Sequence, residues 1–138
     1  MPKVSTPLPG DKNSSVALVE GAIRNPANPN HFMVVMPVKQ PVQIHINQTL
    51  VAETTRALRV IEIGNHAYQP RLYIPESDVT AKLTKVDKTT HCPLKGDATY
   101  YAFGGSEVAW RYDTFDFANV LNGHLSFSAP EMRTTEGE

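Results

Sequence analysis

A lone cysteine lies in a turn-forming segment that could prepare its sulfur for chemistry. Cys92 is followed by Pro93, Leu94, Lys95 and Gly96. Proline presets φ in a turn and glycine relieves strain after it, so we expect the chain to bring Lys95 back near the thiol. A nearby ammonium group favours the thiolate and lowers the pKa of a cysteine. The segment therefore predicts that Cys92 is a nucleophile or a thiol that binds a ligand.

The same segment also fits a purely structural interpretation. Cysteine is among the most buried residue types, and Cys92 can simply fill a turn while Lys95 points to solvent. His91 is a poor partner base on a strand, because adjacent side chains there point to opposite faces. Both interpretations of Cys92 stay open at the level of sequence.

Charged residues occur within or beside segments whose apolar residues should pack a core. They are Arg56, Arg59, Glu62 and Arg71. A charge in such a place must be exposed, paired or bound to a ligand. We expect Arg56 and Lys95 to receive an anion, and Glu62 to orient Arg56 or to act as a catalytic base. The alternative is an ordinary Arg–Glu pair on an outer face.

Aromatic residues are expected to fill the core in the main, with Tyr73 and Trp110 as walls of the ligand pocket. The five histidines include no His-x-His or His-x-x-x-His pair, and the chain has one cysteine. A catalytic metal usually needs three protein ligands with recognisable clustering. The sequence therefore predicts neither a metal site nor a cofactor.

The composition argues against several classes of protein. The 138 residues carry 13 basic and 14 acidic side chains, whereas a nucleic-acid-binding protein normally shows a basic surplus. The longest apolar runs, residues 32–36 and 16–19, fall far short of the roughly 20 residues of a membrane helix. Residues 1–11 carry prolines and charges where a secretory signal needs an apolar region. One cysteine excludes an internal disulfide framework, so we expect a cytoplasmic protein.

Short strands and turns are the predicted elements. Val, Ile and Thr make up 31 of the 138 residues, and 11 prolines and 8 glycines interrupt the chain. Residues 56–63 fit either a helix or a strand, and we favour a strand because residues 71–74 can pair back onto it. The other predicted strands are 31–36, 42–46, 49–53, 81–86, 99–103, 107–112 and 124–128, with turns at 47–48 and 104–106 and short helices at 75–78 and 117–121.

These elements divide the chain into three parts. Residues 1–29 are predicted to form a flexible arm with a possible short helix over 16–24, because prolines, glycine and small polar residues dominate it. Residues 30–128 are predicted to form a single β domain. Residues 129–138 are predicted to be a frayed tail.

The order of five segments resembles the small bacterial family catalogued as domain of unknown function 427. Those segments are residues 52–62, 70–79, 90–96, 109–112 and 125–127, and the resemblance runs from about residue 29 to 127. It implies a compact, antiparallel folded sheet, tent-like or barrel-like, with one or two short helices. The family pattern is matched at Arg56, Glu62, Tyr73, Pro75, Asp78, Cys92, Pro93, Lys95, Gly96, Trp110 and Tyr112.

The resemblance supplies no mechanism. The family carries a nucleotidyltransferase-like label, but that chemistry favours two carboxylates at i and i+2 of a strand. Asp113 and Asp116 are three residues apart and follow the Gly-Ser segment too closely. The sequence therefore gives no support to nucleotidyl transfer.

Two functions follow from these observations. The first is a small domain whose polar pocket binds a small anionic ligand, with covalent chemistry at Cys92 as one possibility. The second is a non-catalytic interaction or structural module, homodimeric through a sheet edge or its N-terminal arm. Convergence of Cys92, Lys95, Arg56 and Glu62 on one concavity would favour the first.

Overall fold

Eleven β-strands account for most of residues 19–137, the part of the chain that this computed structural model describes. They are joined by two short 3-10 segments, Glu76–Asp78 and Asp116–Leu121. The mainly β prediction is confirmed. The strands are β1 Ile23–Asn25, β2 Asn28–Pro37, β3 Val42–Ile46, β4 Thr49–Thr54, β5 Leu58–Ile63, β6 Arg71–Pro75, β7 Thr84–Cys92, β8 Gly96–Phe103, β9 Ser106–Thr114, β10 His124–Phe127 and β11 Met132–Glu136.

The strands form two antiparallel sheets. The larger has eight strands in the order β1-β2-β5-β6-β10-β9-β8-β7, and the smaller has three in the order β11-β3-β4. Within residues 19–137, β1 and β7 remain the two edges of the larger sheet, so that sheet is folded but is not a closed barrel.

The smaller sheet packs an apolar core against the larger one. In β3, Val42, Ile44 and Ile46 are buried, as strict alternation predicts. The predicted turn at 47–48 has positive φ at both residues and connects β3 to β4. The larger sheet adds Ile74 and Phe127, among others, to the same cluster.

A second apolar cluster lies on the other side of the larger sheet. Its buried members include Met33 of β2, Val60 of β5, Leu94 of the β7–β8 turn and Leu121 of the second 3-10 segment. The turn and the 3-10 segment thus cover one part of this concave face, and the rest of the face stays open.

The prediction of a frayed tail is wrong for residues 132–136. They form β11, which pairs with β3 along its full length. Both terminal guanidinium nitrogens of Arg59 also donate hydrogen bonds to the Glu136 carboxylate. The partner strand lies about ninety residues earlier in the chain, so local sequence gives no sign of this pairing.

The predicted boundary at residue 30 also needs correction. Ile23–Asn25 and Asn28–Pro37 already belong to the larger sheet, so the described part of the predicted arm consists of a turn at residues 19–22 followed by strand, not the end of a helix. Residues 1–18, with most of the predicted arm and the start of its helix, lie outside the described residues.

Residues 58–63 form a strand, as favoured, and β6 pairs with it. The strand predicted over 81–86 begins only at Thr84 and continues to Cys92. No helix of the described chain is long and apolar enough to cross a membrane.

Candidate functional site

The open part of the concave face is a pocket of about 440 Å³. Alternate residues of three strands line it: Val60 and Glu62 of β5, Arg71 and Tyr73 of β6, and Trp110 and Tyr112 of β9. This is the two-residue period of strands, which gathers side chains of one parity on one face. Beside the irregularity in the β8–β9 pairing, the consecutive residues Glu107, Val108 and Ala109 of β9 also line the pocket. Tyr68 and Gln69 of the β5–β6 loop, Lys95 of the β7–β8 turn and Tyr100 of β8 complete the main walls.

Ser126, a small residue on β10, leaves space above the sheet between Tyr73 and Trp110. Ser126 lies directly opposite Trp110, is buried, and donates its hydroxyl hydrogen bond to the backbone carbonyl of Leu72. β10 lies between β6 and β9, so Tyr73 and Trp110 extend from either side of Ser126. Both of these aromatic side chains line the pocket.

Glu62 is the centre of a buried polar network. Its carboxylate accepts a short hydrogen bond from Lys95 Nζ and lies 2.7 Å from His31 Nε2. On the far side of the ring, Nδ1 of His31 lies 3.4 Å from the Asn25 side-chain nitrogen. This geometry fits the tautomer in which His31 carries its proton on Nε2 and donates it to Glu62. The network joins β1, β2 and β5 to the β7–β8 turn.

Lys95 is held in place by a turn that folds onto β9. Its backbone carbonyl accepts a hydrogen bond from the Phe115 N–H, and its side chain is only 6% exposed. The next residue, Gly96, has φ +126°, and a Cβ there would lie 2.1 Å from the Asp113 carbonyl oxygen. Only glycine fits both the backbone conformation and the close approach.

Glu62 is ionised in this setting. Burial raises the pKa of its carboxyl, but hydrogen bonds from His31 and Lys95 and the charge of Lys95 outweigh burial, so the pKa is lowered overall. A buried carboxylate paired with a buried ammonium carries no net charge as a unit. Glu62 and Lys95 therefore present a strong local dipole to the pocket rather than an unpaired charge.

Two tyrosine hydroxyls keep their protons in the pocket. Burial is the main cause that raises the pKa of Tyr73 and of Tyr112, and the negative charge of Glu62 adds to it. A protonated phenol can donate a hydrogen bond.

Arg71 lines the pocket and has no carboxylate partner within residues 19–137. Its guanidinium carbon lies 5.1 Å from the centre of the Trp110 ring. No Asp or Glu among residues 19–137 forms a salt bridge with it. Lys95, by contrast, is paired with Glu62. The pocket thus offers one unpaired guanidinium and several hydroxyl donors.

The structure brings four of the six predicted site residues together. Glu62, Lys95, Tyr73 and Trp110 all line the pocket. Arg56 does not line it, because β5 begins only at Leu58 and the chain bends before that residue. The partners of Glu62 are therefore Lys95 and His31, not Arg56.

Arg56 and Cys92 lie elsewhere. Arg56 donates hydrogen bonds to Ser77 and Asp78 at the first 3-10 segment, with a side chain that is 62% exposed. Cys92 ends β7, is half-buried, packs against the second apolar cluster, and does not line the pocket.

Sequence reasoning did not assign His31, Arg71 or Tyr112 to the site. Arg71 and Tyr112 lie two residues from Tyr73 and Trp110 on the same strands, so strand parity could have added both. His31 is different, because its contact with Glu62 depends on the pairing of β2 with β5 across the intervening β3–β4 hairpin. Among residues 19–137, no group of three or more His, Cys, Asp or Glu side chains is placed to hold a metal ion.

Comparison with protein families gives one match, which covers residues 34–137 and so most of the chain. The family is described as "Domain of unknown function (DUF427)" and its model is named NTP_transf_9. The chain belongs to the DUF427 family. The match includes Glu62, Lys95, Arg71 and the aromatic walls of this DUF427 domain, whereas His31 precedes its first residue. Comparison with curated proteins gives no match.

Proposed function

We propose that this DUF427 protein binds a small anionic ligand in the pocket on the concave face of its larger sheet. The observation that carries the proposal is Arg71, a half-buried guanidinium that lines the pocket and has no carboxylate partner among the described residues. A desolvated charge without a partner costs free energy, and an anionic ligand offsets that cost. The planar guanidinium suits a carboxylate or a phosphate, which it can bind with two parallel hydrogen bonds.

The other polar residues have distinct roles in this proposal. Tyr73 and Tyr112 donate hydrogen bonds to the ligand, since burial keeps both phenols protonated. Glu62 holds Lys95 in place, and Lys95 turns its remaining ammonium protons to the pocket. Covalent chemistry at Cys92 is not part of the proposal, because the thiol packs against the apolar cluster instead of lining the pocket.

The only tryptophan of the chain makes the proposal easy to test, since Trp110 lies in the pocket wall. Acetate, methyl phosphate and benzoate are titrated into the full chain at constant ionic strength while tryptophan fluorescence is followed. At least one of these anions should change the fluorescence saturably. Arg71→Met should weaken that binding roughly tenfold or more, because a hydrogen bond to a charged group is lost.

Arg56→Met is the matched control, since it removes the same charge outside the pocket. It should leave the affinity for each anion unchanged. The proposal fails if none of the three anions binds, or if Arg56→Met and Arg71→Met weaken binding equally.

A homodimeric interaction module is the second candidate, and the open edge of β7 is the observation that favours it. β7 is nine residues long, largely exposed, and paired on one side only within the described chain. It also carries Lys85, Asp87 and Lys88, and charged side chains on an edge strand oppose pairing with another copy. Sedimentation equilibrium over a range of concentrations tests it: a dimer that Thr89→Pro converts to monomer would support this candidate.

A further inference from the structure

The aromatic residues that carry a polar group lie mostly in the pocket, whereas the phenylalanines lie elsewhere in the fold. The sequence has five tyrosines, one tryptophan and five phenylalanines, all within residues 19–137. No phenylalanine lines the pocket. Five of the six aromatic residues that carry a polar group do so, namely Tyr68, Tyr73, Tyr100, Trp110 and Tyr112. An apolar core alone has no reason to exclude phenylalanine from one cavity, so this sorting points to a ligand that needs both ring surface and hydrogen bonds.

Two of the ring surfaces lie next to each other, and a third lines the same pocket. Tyr100 and Trp110 are directly opposite each other on β8 and β9, with ring centres 6.4 Å apart and planes tilted by 40°. Tyr68 stands at the rim, where its backbone N–H donates to the Glu62 carbonyl and Gly64 leaves room for its ring. A planar ring can contact such a wall by edge or by face, at the spacing that aromatic pairs prefer.

Arg71 determines where the anionic group of the ligand binds. The guanidinium lies against the Trp110 ring, so a group bound to Arg71 begins at the aromatic wall. The pocket volume of about 440 Å³ exceeds the size of a simple inorganic anion, which would leave the wall uncovered. A ligand that binds Arg71 through an anion and covers the wall with a ring uses both features.

We infer that the pocket takes a planar aromatic carboxylate, whose carboxylate lies on Arg71 and whose ring lies against Tyr68, Tyr100 and Trp110. This inference rests on the proposed function and narrows it to one class of ligand.

Three probes of similar size distinguish the contribution of the aromatic ring to binding from that of the negative charge. They are benzoate, cyclohexanecarboxylate and benzamide. Their affinities for the full chain are measured by titration calorimetry, with Trp110 fluorescence as a report on location. Benzoate should bind about tenfold more tightly than cyclohexanecarboxylate, because several ring contacts each add to the binding of an aromatic ligand. Benzoate should also bind at least about tenfold more tightly than benzamide, which has no charge for Arg71.

The outcomes distinguish this inference from the proposed function. Equal binding of benzoate and cyclohexanecarboxylate would overturn the aromatic class while the anion site stands. Equal affinities for benzoate and benzamide would overturn the inference that the ligand binds Arg71 through a carboxylate. If neither carboxylate binds and methyl phosphate also fails, the proposed function itself is wrong.

Two neighbouring tyrosines provide a matched pair of variants. Tyr100 lines the pocket, whereas Tyr101, the next residue of β8, packs on the opposite face against the first apolar core. Tyr100→Leu should lower the affinity for benzoate several-fold and leave that for cyclohexanecarboxylate nearly unchanged. Tyr101→Leu should change neither affinity, and an equal effect of both variants would contradict the inference. Should either variant fail to fold, the three-probe comparison on the wild-type chain still decides the matter.

Discussion

Two carboxylates of this protein have similar partners and very different surroundings. Glu62 binds Lys95 and His31, and its own side chain is 15% exposed. Asp78 binds Thr54 at 2.6 Å and Arg56 at 3.1 Å; the Asp78 side chain is 25% exposed and that of Arg56 is 62% exposed. Both networks cross between elements, but only the Glu62 network faces a cavity. The two networks differ most in their cations, because Lys95 is only 6% exposed whereas Arg56 is 62% exposed. A buried cation beside a cavity therefore distinguishes the candidate site from the surface ion pair.

The causes of the two lowered pKa values make the same distinction. For Asp78 the hydrogen bond from Thr54 is the largest cause, and burial opposes it only in part. For Glu62 burial is the largest single influence and raises the pKa, so several partners together are needed to lower it. Loss of one partner should therefore matter much more at Glu62 than at Asp78.

Substitution of Gly96 should have the largest effect on the free energy of unfolding, because the position of Lys95 depends on this glycine. Gly96→Ala should lower the free energy of unfolding by more than about 3 kcal/mol, since it combines a strained φ with a contact to backbone that cannot give way. Chemical denaturation measures the loss.

Gly105→Ala is the matched control for this change. Gly105 also has positive φ, at +82°, but a Cβ there meets nothing within 4 Å. It should cost about 1 kcal/mol, from backbone strain alone. Equal losses in the two variants would show that the β7–β8 turn is not packed against β9 as described.

Removal of Lys95 should have the next largest effect. Lys95→Met keeps the length of the side chain but leaves the Glu62 carboxylate with His31 alone, at a cost of about 3 kcal/mol. Arg56→Met at the exposed network should cost less than about 1 kcal/mol. Urea unfolding curves of the two variants measure the difference, and a larger loss in Arg56→Met would reverse the comparison.

Strand parity explains how much of this arrangement was predictable. Once residues 58–63 are assigned to a strand, period-two alternation places Val60 and Glu62 on one face, and both line the pocket. Arg56 was expected in the same site, but β5 begins only at Leu58 and the chain bends before it, so the alternation does not extend to Arg56. Local pattern shows where a strand lies but gives its first residue poorly.

Long-range pairing explains what was missed. The contact of His31 with Glu62 needs β2 beside β5, and β11 needs a partner from the other end of the chain. Neither pairing leaves a local trace in sequence. The turn after Cys92 was correctly predicted to fold back, but the sequence did not show that Lys95 would reach Glu62 across it.

Acid should weaken the protein in part through Glu62. Its pKa is lower in the native state than its ordinary value of 4.5, so its contribution to stability is complete above that pH and is lost as pH falls through the native pKa. Denaturation between neutral and acid pH should therefore show declining stability below about pH 4.5. In Glu62→Gln this decline should be shallower, and an unchanged slope would show that Glu62 is not held ionised by its partners.

Substitution of Cys92 should have the smallest effect on ligand affinity. Cys92→Ser should leave the affinity for benzoate unchanged, because the thiol does not line the pocket. Titration calorimetry checks this. Loss of binding in a variant whose stability is close to that of the wild type would place the sulfur in the site after all.

Arg71, and not Arg56, should contact the ligand, and one NMR spectrum can compare the two guanidinium groups. The chain has six arginines, so their side-chain Nε–H resonances can be resolved by NMR and assigned by substitution. On titration with benzoate, the Arg71 resonance should shift saturably while that of Arg56 stays in place. A saturable shift at Arg56 with none at Arg71 would contradict the account.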